Sequence, residues 1–426
     1  MRILKLLSLL SIITLLTSCM GEEPNNIGYV AALGIDKGEN GYIYTIQFAN
    51  PTKISGGASE EGGSGGNIVE NISVQAPTIY AAINNANMIT SKILSLSHAQ
   101  IIVVSEDVAK NDMKGINDVF ARNNDIRPDI YFAIAENAGK YLEEVKPIIE
   151  LNPVKYYNLT YNKKHGGAVP QVIAAEFYMQ SEAKLSDCPL PFAGIAKSEK
   201  ENEEDTDAGS SSGGQQSEPI DNQSNKDAEI IQNGFENKNK NYIAGEVGRK
   251  VKNKSEAAGM AVFKDYKYIG KLGSADSEIY NILTGKMEYN NITFYSQKNP
   301  AHPITVRVEQ KENPEYKIDF ENKKVEIYIK MENDLLSAPS EYKNNNTIEE
   351  MNRQTSEMIA KKTSEFLNMM YKRNGVDIIG IKGKIRKYFT VLNDYEVYCQ
   401  NFNAKEWDFD VYTDFEMKRT GMTYYR

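Results

Sequence analysis

Three cysteines, three histidines and one tryptophan in 426 residues already exclude several kinds of function. So few cysteines cannot make a disulfide framework at this length. His98, His165 and His302 have no histidine or cysteine partner at metal-ligand spacing, and HExxH does not occur, so no cofactor or metal is expected. Positive charge is not in excess: 58 Asp and Glu against 49 Lys and Arg give −9, which argues against a nucleic-acid-binding surface. Only one long apolar run exists, at the start, and this excludes a polytopic membrane protein. There is no GxSxG elbow, and Ser181-Glu182-Ala183-Lys184 has S-x-x-K spacing without its SDN and KTG companions. The glycine-rich stretch 55–66 is followed by no GK[ST], so it reads as a loop and not as a phosphate cradle. No internal repeat is visible.

What is present begins with an address. Arg2 and Lys5 form a positive n-region, and Leu6 to Leu16 an apolar h-region of 11 residues, short of the ~20 that span a bilayer. Leu16-Thr17-Ser18-Cys19 then resembles the bacterial lipobox, with a small residue before the cysteine. This predicts a lipoprotein signal peptide over 1–18, acyl chains on Cys19 and a polar tether over 19–26. Losing Arg2 and Lys5 takes the net charge from −9 to −9 − 2 = −11. Cys188 and Cys399 remain, either as a disulfide formed outside the cytoplasm or as two separate packed thiols.

Residues 27–196 read as a mixed α/β domain. Ile27–Ile35 and the alternating Tyr42-Tyr44-Ile46-Phe48 flank Asp36–Gly41 turn chemistry, a hairpin signal. Ile68, Ile72 and Val74 suggest a strand. Thr78 caps a helix carrying Ile79, Ile83 and Ala86. Gln100–Val104 is a continuous apolar run fit for the centre of a sheet. Ser105 and Asp112 each cap a helical stretch, the second with Met113, Ile116, Val119 and Phe120. Ile130–Ala135 is a further strand, and Asn137 opens a short helix.

Residues 197–256 hold almost no large apolar side chains and carry the acidic run Glu199–Asp207, so a disordered linker is expected there. A middle α+β domain is expected over 257–335. It starts with a hairpin around Lys264-Asp265-Tyr266-Lys267, followed by a helix capped by Ser274 and strands at 304–308, 316–320 and 325–329. The last unit, 336–426, opens with the capping box Thr347-Ile348-Glu349-Glu350 and a long helix carrying Met351, Met358, Ile359, Phe366 and Met370. It ends in a strand with Trp407, Phe409, Val411, Thr413, Phe415 and Met417 on one face and acidic residues on the other. One wet face implies an antiparallel sheet packed by the long helix. The fold class expected is α+β, multi-domain, with about three mixed α/β domains.

Several segments together resemble the Ger(x)C family of spore germination lipoproteins. They are the lipobox at Cys19, Ala32-Leu33-Gly34-Ile35-Asp36-Lys37, His98-Ala99-Gln100-Ile101-Ile102-Val103-Val104, Arg127-Pro128-Asp129, Gly259-Met260-Ala261-Val262-Phe263-Lys264-Asp265, Asp377-Ile378-Ile379-Gly380, Trp407 and Arg419-Thr420-Gly421. Together they run through almost the whole chain outside 197–256. Two departures are Met20-Gly21-Glu22-Glu23 after the cysteine and Ser274-Ala275-Asp276 after the hairpin. The resemblance implies a lipid-anchored, non-enzymatic C subunit of a nutrient germinant receptor, on the outer face of the spore inner membrane with A and B subunits as partners. It implies no catalytic residue. His98, Gln100 and Arg127 are expected to hold backbone and loops, and Cys19 alone has a chemical role. The competing readings are a solute-binding lipoprotein of a transporter, which needs two similar lobes around a cleft, and an anchored hydrolase.

Overall fold

The structure is a computed structural model and describes residues 26–49, 69–147, 149–150, 152–162, 167–197, 241–246, 248, 252–295, 303–338 and 345–419. The signal peptide, Cys19, the glycine-rich stretch, His165, His302, most of the acidic stretch and Thr420-Gly421 lie outside the described residues, as does the side chain of Thr347.

Two sheets carry the fold. In the first, β1 (Ile27–Gly38), β5 (Ile101–Ser105), β6 (Tyr131–Ala135) and β7 (Leu190–Ile195) run parallel in the middle. Antiparallel strands flank them: β2 (Gly41–Ala49) and β3 (Val69–Ala76) on one side, β8 (Ser255–Lys264) and β9 (Lys267–Leu272) on the other. The short β4 (Ile93–Ser95) lies parallel to the start of β1. Strands β5 and β6 are buried along their whole length, as the unbroken apolar run Ile101–Val104 requires. The two faces part at period two. Ile102, Val104, Phe132 and Ile134 enter the large core, whereas Ile101, Val103, Tyr131 and Ala133 enter a smaller one.

Helices cover both faces. Helix α1 (Ile79–Asn87) is capped by Thr78, whose hydroxyl accepts from Ala81 N as expected; Ile79 and Ala86 are buried, Ile83 packs half-buried against the core, and Ala82 is buried beside them. Helix α2 (Glu106–Arg122) starts at the Ser105 cap and is interrupted at Asp112, whose backbone is not helical, so the two expected caps mark one kinked helix. These two and α5 (Ala174–Glu182) supply Ile79, Met113, Phe120 and Phe177 to the large core. Helix α3 (Ala138–Glu143), capped by Asn137, and α4 (Pro153–Tyr161), capped by Asn152, cover the other face with Tyr141, Tyr157 and Tyr161.

The second sheet contains β10 (Tyr289–Tyr295), β11 (Pro303–Glu309), β12 (Glu315–Asp319), β13 (Lys324–Ser337) and β14 (Asp408–Arg419). It is antiparallel except that β14 runs parallel to β13. The reason is the connection: some 70 residues separate the two strands, including α7 (Asn345–Leu367), which packs on β14. Ser356 on α7 donates to Thr413 O at 2.6 Å, and Thr413 Oγ1 donates back to Ser356 O at 2.8 Å. Phe409, Val411 and Met417 pack against the core and Phe415 is buried in it, while the acidic residues alternate outward.

Strand pairing corrects the expected division at 257–335. Strands β8 and β9 complete the first sheet through β7, and only β10–β13 belong with the C-terminal part. The helix after the hairpin, α6 (Ser274–Leu283), is not capped by Ser274, which is its first helical residue. Its cap comes from Asn241, whose Oδ1 accepts from Ala275 N (3.0 Å) and Asp276 N (3.3 Å). The expected linker over 197–256 therefore contains packed chain: Tyr242 and Ile243 lie against the core, Ala244 is buried in it, and Ala244 N donates to Ala258 O. The two sheets differ in strand order and direction and are not two similar lobes.

Candidate functional site

The segments singled out by sequence are joints of this fold. Asp36 leaves the end of β1 and accepts from Ala138 N (2.9 Å) and Gly139 N (2.7 Å), which ties α3 to the sheet by its N-terminus. Burial pushes its carboxyl above the usual range, against the pull of those two N–H groups. Gly34 makes the approach possible: a Cβ there would lie 3.1 Å from Leu142 Cδ1 and 3.3 Å from the backbone of Ala138. Gln100 donates to His98 O at 3.2 Å and accepts from Asn158 at 3.3 Å, so it secures α4 to the strand it precedes. Arg127 pairs with Asp129 at 2.5 and 2.9 Å on the surface, holding the turn before β6.

A buried polar cluster joins the two halves of the chain. Asp377 is buried and accepts from Tyr371 Oη (2.5 Å), Ile381 N (2.7 Å) and Lys382 N (2.9 Å). Removal from water pushes its carboxyl up from the ordinary value. Asp187, just before β7, accepts from Asp377 N at 2.8 Å, and Asp187 N donates to Asp377 O at 3.0 Å. Its other oxygen accepts from Asp265 N at 3.2 Å. Asp265 and Tyr266 both have positive φ, 49° and 66°, the two-residue turn that suits a tight hairpin. The Gly-x-Ala-Val-Phe-Lys-Asp and Asp-Ile-Ile-Gly segments, more than a hundred residues apart, thus meet on one carboxylate. Asp187 carried no sequence signal of this role, since its partners are distant backbone groups. Tyr371 lies on a π-helical turn, Asn368–Asn374, that extends α7 to the left-handed Gly375.

Among the described residues no three His, Cys, Asp or Glu side chains stand where a metal could be held. Cys188 and Cys399 are separate free thiols, and burial pushes Cys188 up to about 12. Asp408 and Asp410 each pair with a lysine, Lys372 and Lys324, at 2.6 Å. No helix among the described residues is long and apolar enough to cross a membrane. A cavity of about 590 Å³ opens at the start of β1, walled by Ile27, Tyr29, Phe48, Ile72, Ile89 and Leu94. Thr90, Ser91, Lys92, His98 and Asn152 are polar residues of its lining, and His98 packs edge-on against Tyr29 with Nδ1 3.0 Å from Ser97 Oγ.

Two family models match this chain, the spore germination protein N-terminal domain over residues 21–194 and the spore germination B3/GerAC-like C-terminal domain over 258–421. The chain belongs to the Ger(x)C family. Within it, the chain is similar to spore germination protein KC of Bacillus subtilis (strain 168), 28% identical over 153 residues. That stretch covers 34% of this chain and 38% of the relative. A second relative is the putative spore germination protein YfkR of the same organism, 28% identical over 116 residues, covering 27% of this chain and 30% of the relative. The crystal structure of the GerBC protein aligns over 90% of this chain and 96% of its own, with a TM-score of 0.48 and 12% identity. Both matched Ger(x)C regions end within the first sheet's strands or in β14's immediate surroundings, and the acidic stretch falls between them.

Proposed function

We propose that this Ger(x)C protein is a non-catalytic subunit of a spore nutrient germinant receptor, held on the outer face of the spore inner membrane by acyl chains on Cys19. It works beside A and B subunits and is needed for the response to nutrients such as amino acids. The observation that carries the reading is the pair of family matches over both halves of the chain, joined to the lipobox at Leu16–Cys19. The joints described above suit such a role. The Asp187 carboxylate fixes the hairpin of the first sheet to the Asp377 turn of the C-terminal half. An anchor on Cys19 confines the protein to the plane of its partners and raises its effective concentration there.

The test is Cys19→Ala in spores that still make the protein. Loss of the protein from the membrane fraction together with a slowed response to nutrients is expected. Membrane retention and normal germination on every nutrient would refute the role of the anchor.

A further inference from the structure

The joints touch the cavity at the start of β1 only through the backbone of His98, which holds Gln100. Its rim continues into the α1–β4 loop and the first residue of β4, where Met88 is 83% exposed, Ile89 70% and Ile93 48%. Single exposed apolar residues are ordinary, but three within six residues beside an apolar cavity mark an interaction site. Lys92, in the same loop, is the one lysine or arginine among the described lining residues, and no Asp or Glu is among those.

We propose that this cavity takes one acyl chain of an anionic phospholipid, with Lys92 at the headgroup phosphate and the α1–β4 loop lying in the bilayer surface. The volume of about 590 Å³ falls within the ~300–1,000 Å³ of ligand sites, and the walls are mostly aliphatic or aromatic. A zwitterion such as an amino acid would need an acceptor charge for its ammonium group, and among the described lining residues the charged side chain is a cation, Lys92. Position argues the same way. Ile27 lines the cavity and follows Cys19 by eight residues, so a lipid on Cys19 holds the cavity mouth within about 28 Å of the membrane at ~3.5 Å per residue. This last step rests on the proposed lipidation; the shape and charge of the cavity do not.

The processed chain, residues 19–426, with Cys19→Ser carries no acyl chain, so vesicle binding then reports the folded surface and not the anchor. Sedimentation with phosphatidylglycerol–phosphatidylethanolamine vesicles is expected to show saturable binding. Ile89→Asp combined with Ile93→Asp, both at exposed positions, should weaken it at least tenfold. Lys92→Ala should weaken it about fivefold and leave the lower binding to phosphatidylcholine vesicles unchanged. Tyr29→Trp puts an indole on the wall, which brominated acyl chains should quench while the buried Trp407 is spared. Failure of the Cys19→Ser chain to bind vesicles overturns the proposal, as does binding that survives the double substitution. Saturation by palmitate without vesicle binding overturns it too, by making the occupant a soluble fatty acid. Each of these results stands apart from the germination phenotype of Cys19→Ala.

Discussion

Replacing Asp377 by alanine removes the acceptor of three buried donors at once: Tyr371 Oη, Ile381 N and Lys382 N. Each donor left unpaired costs about 1–3 kcal/mol. Some relaxation and water entry bring the sum toward its lower end, so Asp377→Ala should destabilise the protein by about 3–5 kcal/mol. Asp377→Asn keeps one acceptor oxygen and should cost about 1–2 kcal/mol. Trp407 is the only tryptophan, it is buried, and it precedes β14, so its fluorescence follows the C-terminal half directly. Urea unfolding at pH 7 read by that signal gives the comparison. Tyr371→Phe alone and in combination with Asp377→Ala completes a cycle, with a coupling of about 0.5–3 kcal/mol expected for groups in contact. A loss below about 1 kcal/mol for Asp377→Ala, or no coupling with Tyr371, would refute the idea that this carboxylate holds the buried turn that meets Asp187.

Other predictions follow the same logic. Asp36→Ala leaves the N–H groups of Ala138 and Gly139 without their acceptor and should cost about 2–4 kcal/mol in thermal or urea unfolding. Glu278 on α6 is pushed up to about 7 by burial, so the native state keeps a proton there that the unfolded chain loses near its ordinary value. Its contribution is therefore fully present at acid pH and is lost as pH rises through 7, up to about 3 kcal/mol; Glu278→Gln should flatten that fall in urea midpoints between pH 4.5 and 7.5. Arg127→Ala should change stability by less than about 0.5 kcal/mol, because the pair with Asp129 is half exposed on both sides.

Local signals in the sequence read well where the chain settles its own conformation. Hairpins at 38–41 and 264–267 followed from turn residues between alternating runs, and two cap residues seven apart located the break in α2 while suggesting two helices in place of one kinked one. Elements without a local signature went unread. Strand β4 is three residues long, α5 has no side-chain cap, and Pro191 sits inside β7 where proline ordinarily argues against a strand. Helix α4 did carry a sign, Asn152 as cap with Pro153 at its first position. Non-local choices were invisible for a different reason. Alternation along β14 is the same whether its neighbour runs with it or against it, and nothing in 257–272 says that this hairpin pairs with β7. The joints show the same limit. Asp36, Asp377 and Gly259 stood out through resemblance, but that Asp36 caps a helix 102 residues on, or that Asp187 bridges two segments, is a property of the folded chain. The cavity was hidden too, although Met88, Ile89 and Ile93, three large apolar residues within six positions, were an available hint.

The most direct test of the central claim is germination of spores that lack this gene, followed as dipicolinic acid release across a panel of amino acids. The account predicts a lost or slowed response to at least one nutrient, restored by the intact gene, with a normal response to a non-nutrient trigger. Unchanged release for every nutrient, in spores whose other Ger(x)C genes have also been removed, would contradict it.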